Sequence, residues 1–448
     1  MLAHRRLTWH ILLTTLVVVA LAVSPLAAPA QAADQSLVFE ALQALQTNYV
    51  DAVDPVQMLN AALLGMRQQL STAGIVADLP DFPRYTTAVG AKREFAYRFT
   101  AAVTAGSGQL TTTQLAYAAI RGMTSSFNDS HTGFLTPQQN EERRQRQRGQ
   151  AGFTGVGVVL LPKDGRFFIW AVIPGGPAEA AGVHEFDRIA KINGLTTGGM
   201  TVDQVSGMIR GPEGSPVTLT LARVGVSDPL EYTITRQPII VPAVFRSELL
   251  DGRVGYLRLY QFVDRTGDDV RNAIAGLLQQ GMRALVLDLR GNSGGYLSEL
   301  DRVLNILLPR GLRVYAQVRP GGKVDVVRTT RSPLLPATIP LIVLVDEGSA
   351  SAAELLAAAI KENHRGTLVG AKTAGAVEAS ILHDLSDGSA LSITAFRLTS
   401  GLGVRLEHTG VEPDVAAALT ATDLEVGVDR QFGTALQIAR QVTAQPTH

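Results

Sequence analysis

Apolar and polar positions along this chain follow three successive rhythms, preceded by one largely apolar run. The run extends from Ile11 to Val23, behind Arg5 and Arg6 and ahead of Ala27-Ala28-Pro29-Ala30-Gln31-Ala32. A basic start, a short apolar stretch and an A-x-A site predict a secretory leader over residues 1–32. The run is short for a bilayer span and broken by Thr14 and Thr15, and no Cys stands ready for lipidation. From 33 to 150 the rhythm is helical: Val38, Leu42, Leu45 and then Met58, Leu59, Ala62, Leu63, Met66 recur at helix spacing. This region closes on the charge run from Asn140 to Gln150, read as a solvated helix end that marks a boundary. From 151 to 240 short β-type runs take over: Gly157–Leu161, Phe167–Val172, Arg188–Ile192 and Val217–Leu221, with one helix near Val202–Ile209. From 241 to 430 strands and helices alternate. Leu285–Leu289 and Leu341–Val345 are almost wholly apolar, as buried parallel strands are, and a helical run from Ala352 to Lys361 follows the second. Residues 431–448 are left as a C-terminal tail.

Composition narrows the function classes. With 448 residues, 46% hydrophobic and 18% charged, the chain suits about three packed domains and argues against long disorder. Its 40 Lys+Arg balance 40 Asp+Glu, which gives no support to a nucleic-acid binder. The absence of Cys excludes disulfides, thiolate metal ligands and a cysteine nucleophile. No His pair has the H-E-x-x-H spacing and no phosphate-cradling G-x-x-x-x-G-K-[ST] occurs, so neither a catalytic metal nor a cofactor is expected.

Two strand ends carry the chemistry. At Val345-Asp346-Glu347-Gly348-Ser349-Ala350-Ser351-Ala352-Ala353-Glu354 a buried strand passes through small residues into a helix. A Ser there meets the positive end of the helix dipole, which favours a developing anion, although Ser also serves as a plain cap. At Asp288-Leu289-Arg290-Gly291-Asn292-Ser293-Gly294-Gly295, consecutive Gly residues allow a backbone N–H to approach a ligand closely. Together the loops offer a nucleophile and two oxyanion donors.

These segments, with Gly370-Ala371-Lys372-Thr373-Ala374-Gly375, Gly388-Ser389-Ala390-Leu391 and Gly410-Val411-Glu412-Pro413-Asp414, resemble the tail-specific, or C-terminal processing, serine proteases of peptidase family S41. The likeness covers about residues 35–430, in the family's order. It implies Ser351 as nucleophile and oxyanion donors from Ala352 and the Gly294/Gly295 pair. It also implies a multidomain α/β fold: a helical N-terminal region, a β-rich PDZ domain, and a protease core of the ClpP/crotonase-like type over 241–430. Gly155-Val156-Gly157-Val158, Pro177–Val183 and Asp187–Gly194 carry the likeness to PDZ domains, with Gly155 to Val158 as the carboxylate-binding loop. Phe186 stands where that pattern has Gly.

One element of the pattern is missing. The best-known members use a Lys placed 25 residues after the Ser, and that position here is Ala376. Three readings follow. In the first, His131 in Asn128-Asp129-Ser130-His131 is the base, resembling the tricorn protease core, with Ser130 and Glu407 orienting it. In the second, Lys372 is a displaced base; in the third, the chain binds peptides through its PDZ domain and cleaves nothing. The resemblance implies substrates with free C-termini, while the leader implies an extracytoplasmic location once cleaved, with membrane contact only through an uncleaved leader. It leaves an oligomer open.

Overall fold

The structure is a computed structural model that describes residues 28–83, 86–127, 129, 131–147 and 153–444. Ser130 and most of the leader lie outside the described residues.

Helices α1 (Ala28–Asn48), α2 (Pro55–Thr72), α3 (Ala88–Gly106) and α4 (Thr112–Ser125) form the first layer. Their starts are encoded locally. The Asp54 carboxylate accepts from Val56 and Gln57 N–H at α2, and Thr111 with Gln114 makes a capping box at α4. Their apolar stripes bury Leu42, Leu63, Met66 and Phe95 in one cluster with Leu391 and Ile393 from far along the chain. A short strand β1 (Gly133–Leu135) and helix α5 (Pro137–Gln147) follow, the latter carrying the charge run as far as Gln147.

The β-rich domain contains β2 (Phe153–Gly155), β3 (Val158–Lys163), β4 (Arg166–Val172), α6 (Pro177–Ala180), β5 (Arg188–Ile192), β6 (Leu195–Thr196), α7 (Val202–Ile209), β7 (Pro216–Ala222), β8 (Leu230–Thr235) and β9 (Gln237–Ile239). Its sheet runs β3-β4-β5-β7-β8 with β6 beside β5, while β2 pairs with β9 where the chain enters and leaves. Phe186 takes φ 69, so the turn is kept with a bulky residue in the left-handed region that favours Gly.

The last part comprises β10 (Val244–Leu250), β11 (Val254–Leu259), α8 (Thr266–Gln279), β12 (Ala284–Asp288), α9 (Leu297–Leu307), β13 (Arg313–Val318), β14 (Val324–Arg328), β15 (Leu341–Val345), α10 (Ala352–Glu362), β16 (Thr367–Gly370), β17 (Ala379–Asp384), β18 (Ala390–Ser400), β19 (Val415–Ala416), α11 (Ala421–Glu425) and α12 (Arg430–Ala444). One sheet runs β10-β11-β12-β15-β16-β19, antiparallel only between β10 and β11. Its strands are apolar on both faces because both are covered. Leu285, Leu287 and Val343 pack with α8, α9 and α10, while Val286, Ile342 and Leu344 pack with Ala435 and Ala439 of α12. The segment expected as a tail therefore supplies one covering layer.

The expected ClpP/crotonase-like core is corrected here. The core is not a self-contained stack of turns: its second sheet runs β1-β18-β13-β14, with β17 beside β18, and takes β1 from the N-terminal region. Gly133, Phe134 and Leu135 pair with Ser392, Leu391 and Ala390. The resemblance rests on short matched segments, and none of these reports a strand partner roughly 250 residues away, which is why the expectation failed.

Candidate active site

Ser351 joins β15 to α10 with φ 55 and ψ −119, outside the extended conformation that N-cap residues ordinarily take. Residues other than Gly hold such a backbone only where neighbours over-determine it. Here the Ser351 N–H donates to Ala376 O at 2.8 Å and to Glu354 Oε2 at 3.1 Å. Glu354 is wholly buried and also accepts from Thr373 Oγ1 at 2.5 Å, Gly375 N at 2.7 Å and Ala376 N at 2.9 Å. One carboxylate thereby clamps the segment 373–376 against the serine turn. Ser349 is no rival to Ser351: it is fully buried and donates to Leu289 O at 2.8 Å.

The glycine loop presses directly on this turn. A Cβ on Gly294 would stand 2.6 Å from Ser351 Cβ and 2.9 Å from Ala352 N, and Gly294 has φ 93. The loops are stitched by Ala350 N to Asn292 O at 2.9 Å, and by Asp346 Oδ1, which accepts from Gly291 N and Gly348 N. Burial pushes the Asp346 carboxyl above its ordinary range, although the Gly291 N–H opposes this. The structure divides the expected Gly294/Gly295 pair. Gly294 N–H donates to Asn292 Oδ1 at 2.9 Å, so of the pair only the Gly295 N–H is not taken up in this way.

His131 stands before β1, and its carbonyl accepts from Ser392 Oγ at 2.7 Å. Asp129 fixes the turn by accepting from His131 N at 2.9 Å, Thr132 N at 2.6 Å, Tyr49 Oη at 2.9 Å and Thr394 Oγ1 at 3.1 Å. Burial would raise the Asp129 carboxyl, but these donors outweigh it and hold it below its usual range. His131 Nε2 is buried without a hydrogen-bond partner among the described residues, 3.9 Å from Glu407 Oε1. That separation is an ion-pair distance and too long for a hydrogen bond. Glu407 Oε2 accepts from Val377 N at 2.7 Å and Glu378 N at 3.1 Å. Residues 376–378 thus touch Ser351 on one side and, through Glu407, His131 on the other. Burial and the neighbouring Glu407 raise the Glu378 carboxyl.

Lys372 is half-exposed and paired with Glu412 at 3.1 Å. Of the loop from Gly155 to Val158, residues Val156, Gly157 and Val158 line a groove together with Leu160 of β3 and Ser206 and Ile209 of α7. Sequence reasoning assigned no role to Glu354, Asp129 or Asp346, although each lies within a motif it had singled out.

The profile described as peptidase family S41 matches residues 253–417, and that of the PDZ domain matches 140–222. Carboxy-terminal processing protease CtpA of Bacillus subtilis is 32% identical over 306 residues, 68% of this chain and 64% of its own length. The chain therefore spans just under two thirds of that relative. Carboxyl-terminal-processing protease of Synechocystis sp. is 31% identical over 329 residues, 72% of this chain and 76% of its own. Among solved structures, photosystem II D1 C-terminal processing protease superposes with TM-score 0.55 at 27% identity, covering 90% of this chain and 97% of that one. A putative S41 protease from Bacteroides fragilis gives TM-score 0.54 at 21% identity, covering 72% and 88%. It is this joint arrangement of helical region, β-rich domain and α/β core that replaces the ClpP/crotonase-like expectation.

Proposed function

The chain belongs to peptidase family S41, with a PDZ domain, and from that premise we propose that it is a serine endopeptidase. Its substrates are proteins presented by their C-terminal tails, and it works outside the cytoplasm, as the predicted leader directs. Ser351 attacks the scissile carbonyl while His131 takes its proton and returns it to the leaving amine. The N–H groups of Ala352 and Gly295 receive the oxyanion at the positive end of α10. Glu407, with Ser130, orients the imidazole and balances the charge it gains.

The observation that carries this reading is the strained Ser351 turn with Gly294 packed against it. Strain of this kind gathers at functional sites, and a plain helix cap has no need of it. The half-exposed Lys372, paired with Glu412, favours His131 over a displaced Lys as base. The test is labelling of the purified protein by a fluorophosphonate probe, with Ser351→Ala, His131→Ala and Lys372→Ala in parallel. Labelling should vanish without Ser351, fall steeply without His131 and persist without Lys372. Loss on Lys372→Ala would move the base to that residue, and a folded wild type that does not label would leave a peptide-binding scaffold.

A further inference from the structure

We propose that Trp170, reaching over from the PDZ domain, is a positioning residue for the glycine loop of the active site. The proposal rests on the serine-protease reading above.

Strand β4 is apolar on both faces, and the two faces have different partners. Phe167 and Ile169 belong to the core of the PDZ domain, whereas Phe168 and Trp170 pack with Leu419, Ala421 and Leu424 of the neighbouring layer. Trp170 also falls where the β3–β4 register shifts, between the pairs Val159↔Ala171 and Leu160↔Ile169. It is the extra residue of a β-bulge, a device that re-aims one side chain beside an active site.

The protease core meets it with two arginines. Arg258 and Arg290 lie over the indole at 4.9 and 4.7 Å from the ring centre, and both guanidinium nitrogens of Arg258 approach Trp170 O at 3.4 Å. Arg290 itself is buried. Asp288 grips it at 2.9 and 2.7 Å, and Asp429 and Gln431 hold its other end at 2.9 and 3.1 Å. The next residue, Gly291, opens the glycine loop, and a Cβ there would meet Trp170 Nε1 at 3.5 Å. The loop is therefore pinned from the core by Asp346 and Asn292 and backed from the PDZ domain by the indole.

The same hairpin reaches the serine turn at its other end, where Lys163 pairs with Glu347, next to Asp346. Its outer strand, β3, lines the peptide groove through Val158 and Leu160. One hairpin thus meets the glycine loop through Trp170 and the serine turn through Lys163.

Trp170→Leu keeps an apolar side chain and removes the π-face; Trp170→Phe keeps the face and removes the N–H. Both are compared with the full mature wild type by fluorophosphonate labelling of Ser351 and by hydrogen exchange at the amides of 291–295. Trp170→Leu should slow labelling by about tenfold or more, the scale on which small misplacements act. It should speed exchange at 291–295 with α2 unchanged, and Trp170→Phe should restore both. Wild-type rates in Trp170→Leu overturn the proposal, and so does equal loss in both variants, which would mark a simple packing fault. If the wild type does not label, the serine reading fails, and the exchange comparison still decides the role of Trp170.

Discussion

The backbone N–H of Ser351 donates to the carbonyl of Ala376 at 2.8 Å. The position at which better-known relatives carry their catalytic Lys is therefore in direct contact with the serine turn, and in this chain it holds a methyl group. His131 approaches the same segment from the other side, through Glu407.

A Lys introduced at 376 should then serve Ser351 as a base. In a His131→Ala background, Ala376→Lys should recover fluorophosphonate labelling by about tenfold or more, within the range of general-base contributions. A folded double variant that labels no faster than His131→Ala alone would show that the side chain at 376 does not reach Ser351 Oγ.

Gly294 sets the approach of the two catalytic loops. In Gly294→Ala the new Cβ would overlap Ser351 Cβ and crowd Ala352 N. Labelling should fall by about 10²-fold or more, as when one oxyanion donor is lost. Thermal unfolding should show a loss of about 1–3 kcal/mol for the strained backbone. Unchanged labelling in this variant would remove the glycine loop from the site.

Glu354 is wholly buried, and its contacts are with the serine turn and the segment 373–376 that it clamps. Glu354→Gln keeps the shape but trades an acceptor oxygen for a donor that faces N–H groups, which should cost about 1–3 kcal/mol. The labelling rate should fall while the affinity of the PDZ domain for a C-terminal peptide holds, as calorimetry would read. A matching fall in peptide affinity would indicate general unfolding instead.

Asp346 gives the site a signature in pH. Its folded-state pKa lies above the ordinary value of 3.8, so protonation favours the folded chain. That contribution is complete below 3.8 and is lost as pH rises through the raised folded value. Asp346→Asn removes the charge and keeps the Oδ1 that accepts from Gly291 and Gly348. Its urea midpoint should exceed that of the wild type at neutral pH, and the gap should close in acid. A gap that widens in acid would reverse the sign and refute this account.

What the sequence determined by itself is local. Apolar patterning placed α7 at Val202–Ile209, β5 at Arg188–Ile192 and β15 at Leu341–Val345, because the pattern that marks each one, periodic or unbroken, is complete within a few residues. The small-residue turn at Ser351 and the glycines at 294 and 295 were legible for the same reason: the backbone conformations they need are encoded where they occur. Tertiary structure alone decided the rest. That β1 joins β18, and so brings the turn of His131 beside Thr394, depends on a pairing across the whole chain. That Asn292 takes the N–H of Gly294 and leaves that of Gly295 depends on a side-chain orientation no spacing reports. That Glu354 gathers four donors from 351, 373, 375 and 376 depends on a burial whose cost only those distant partners offset. Periodicity records which face of an element is dry; which distant groups meet there is set by the free energy of the folded whole.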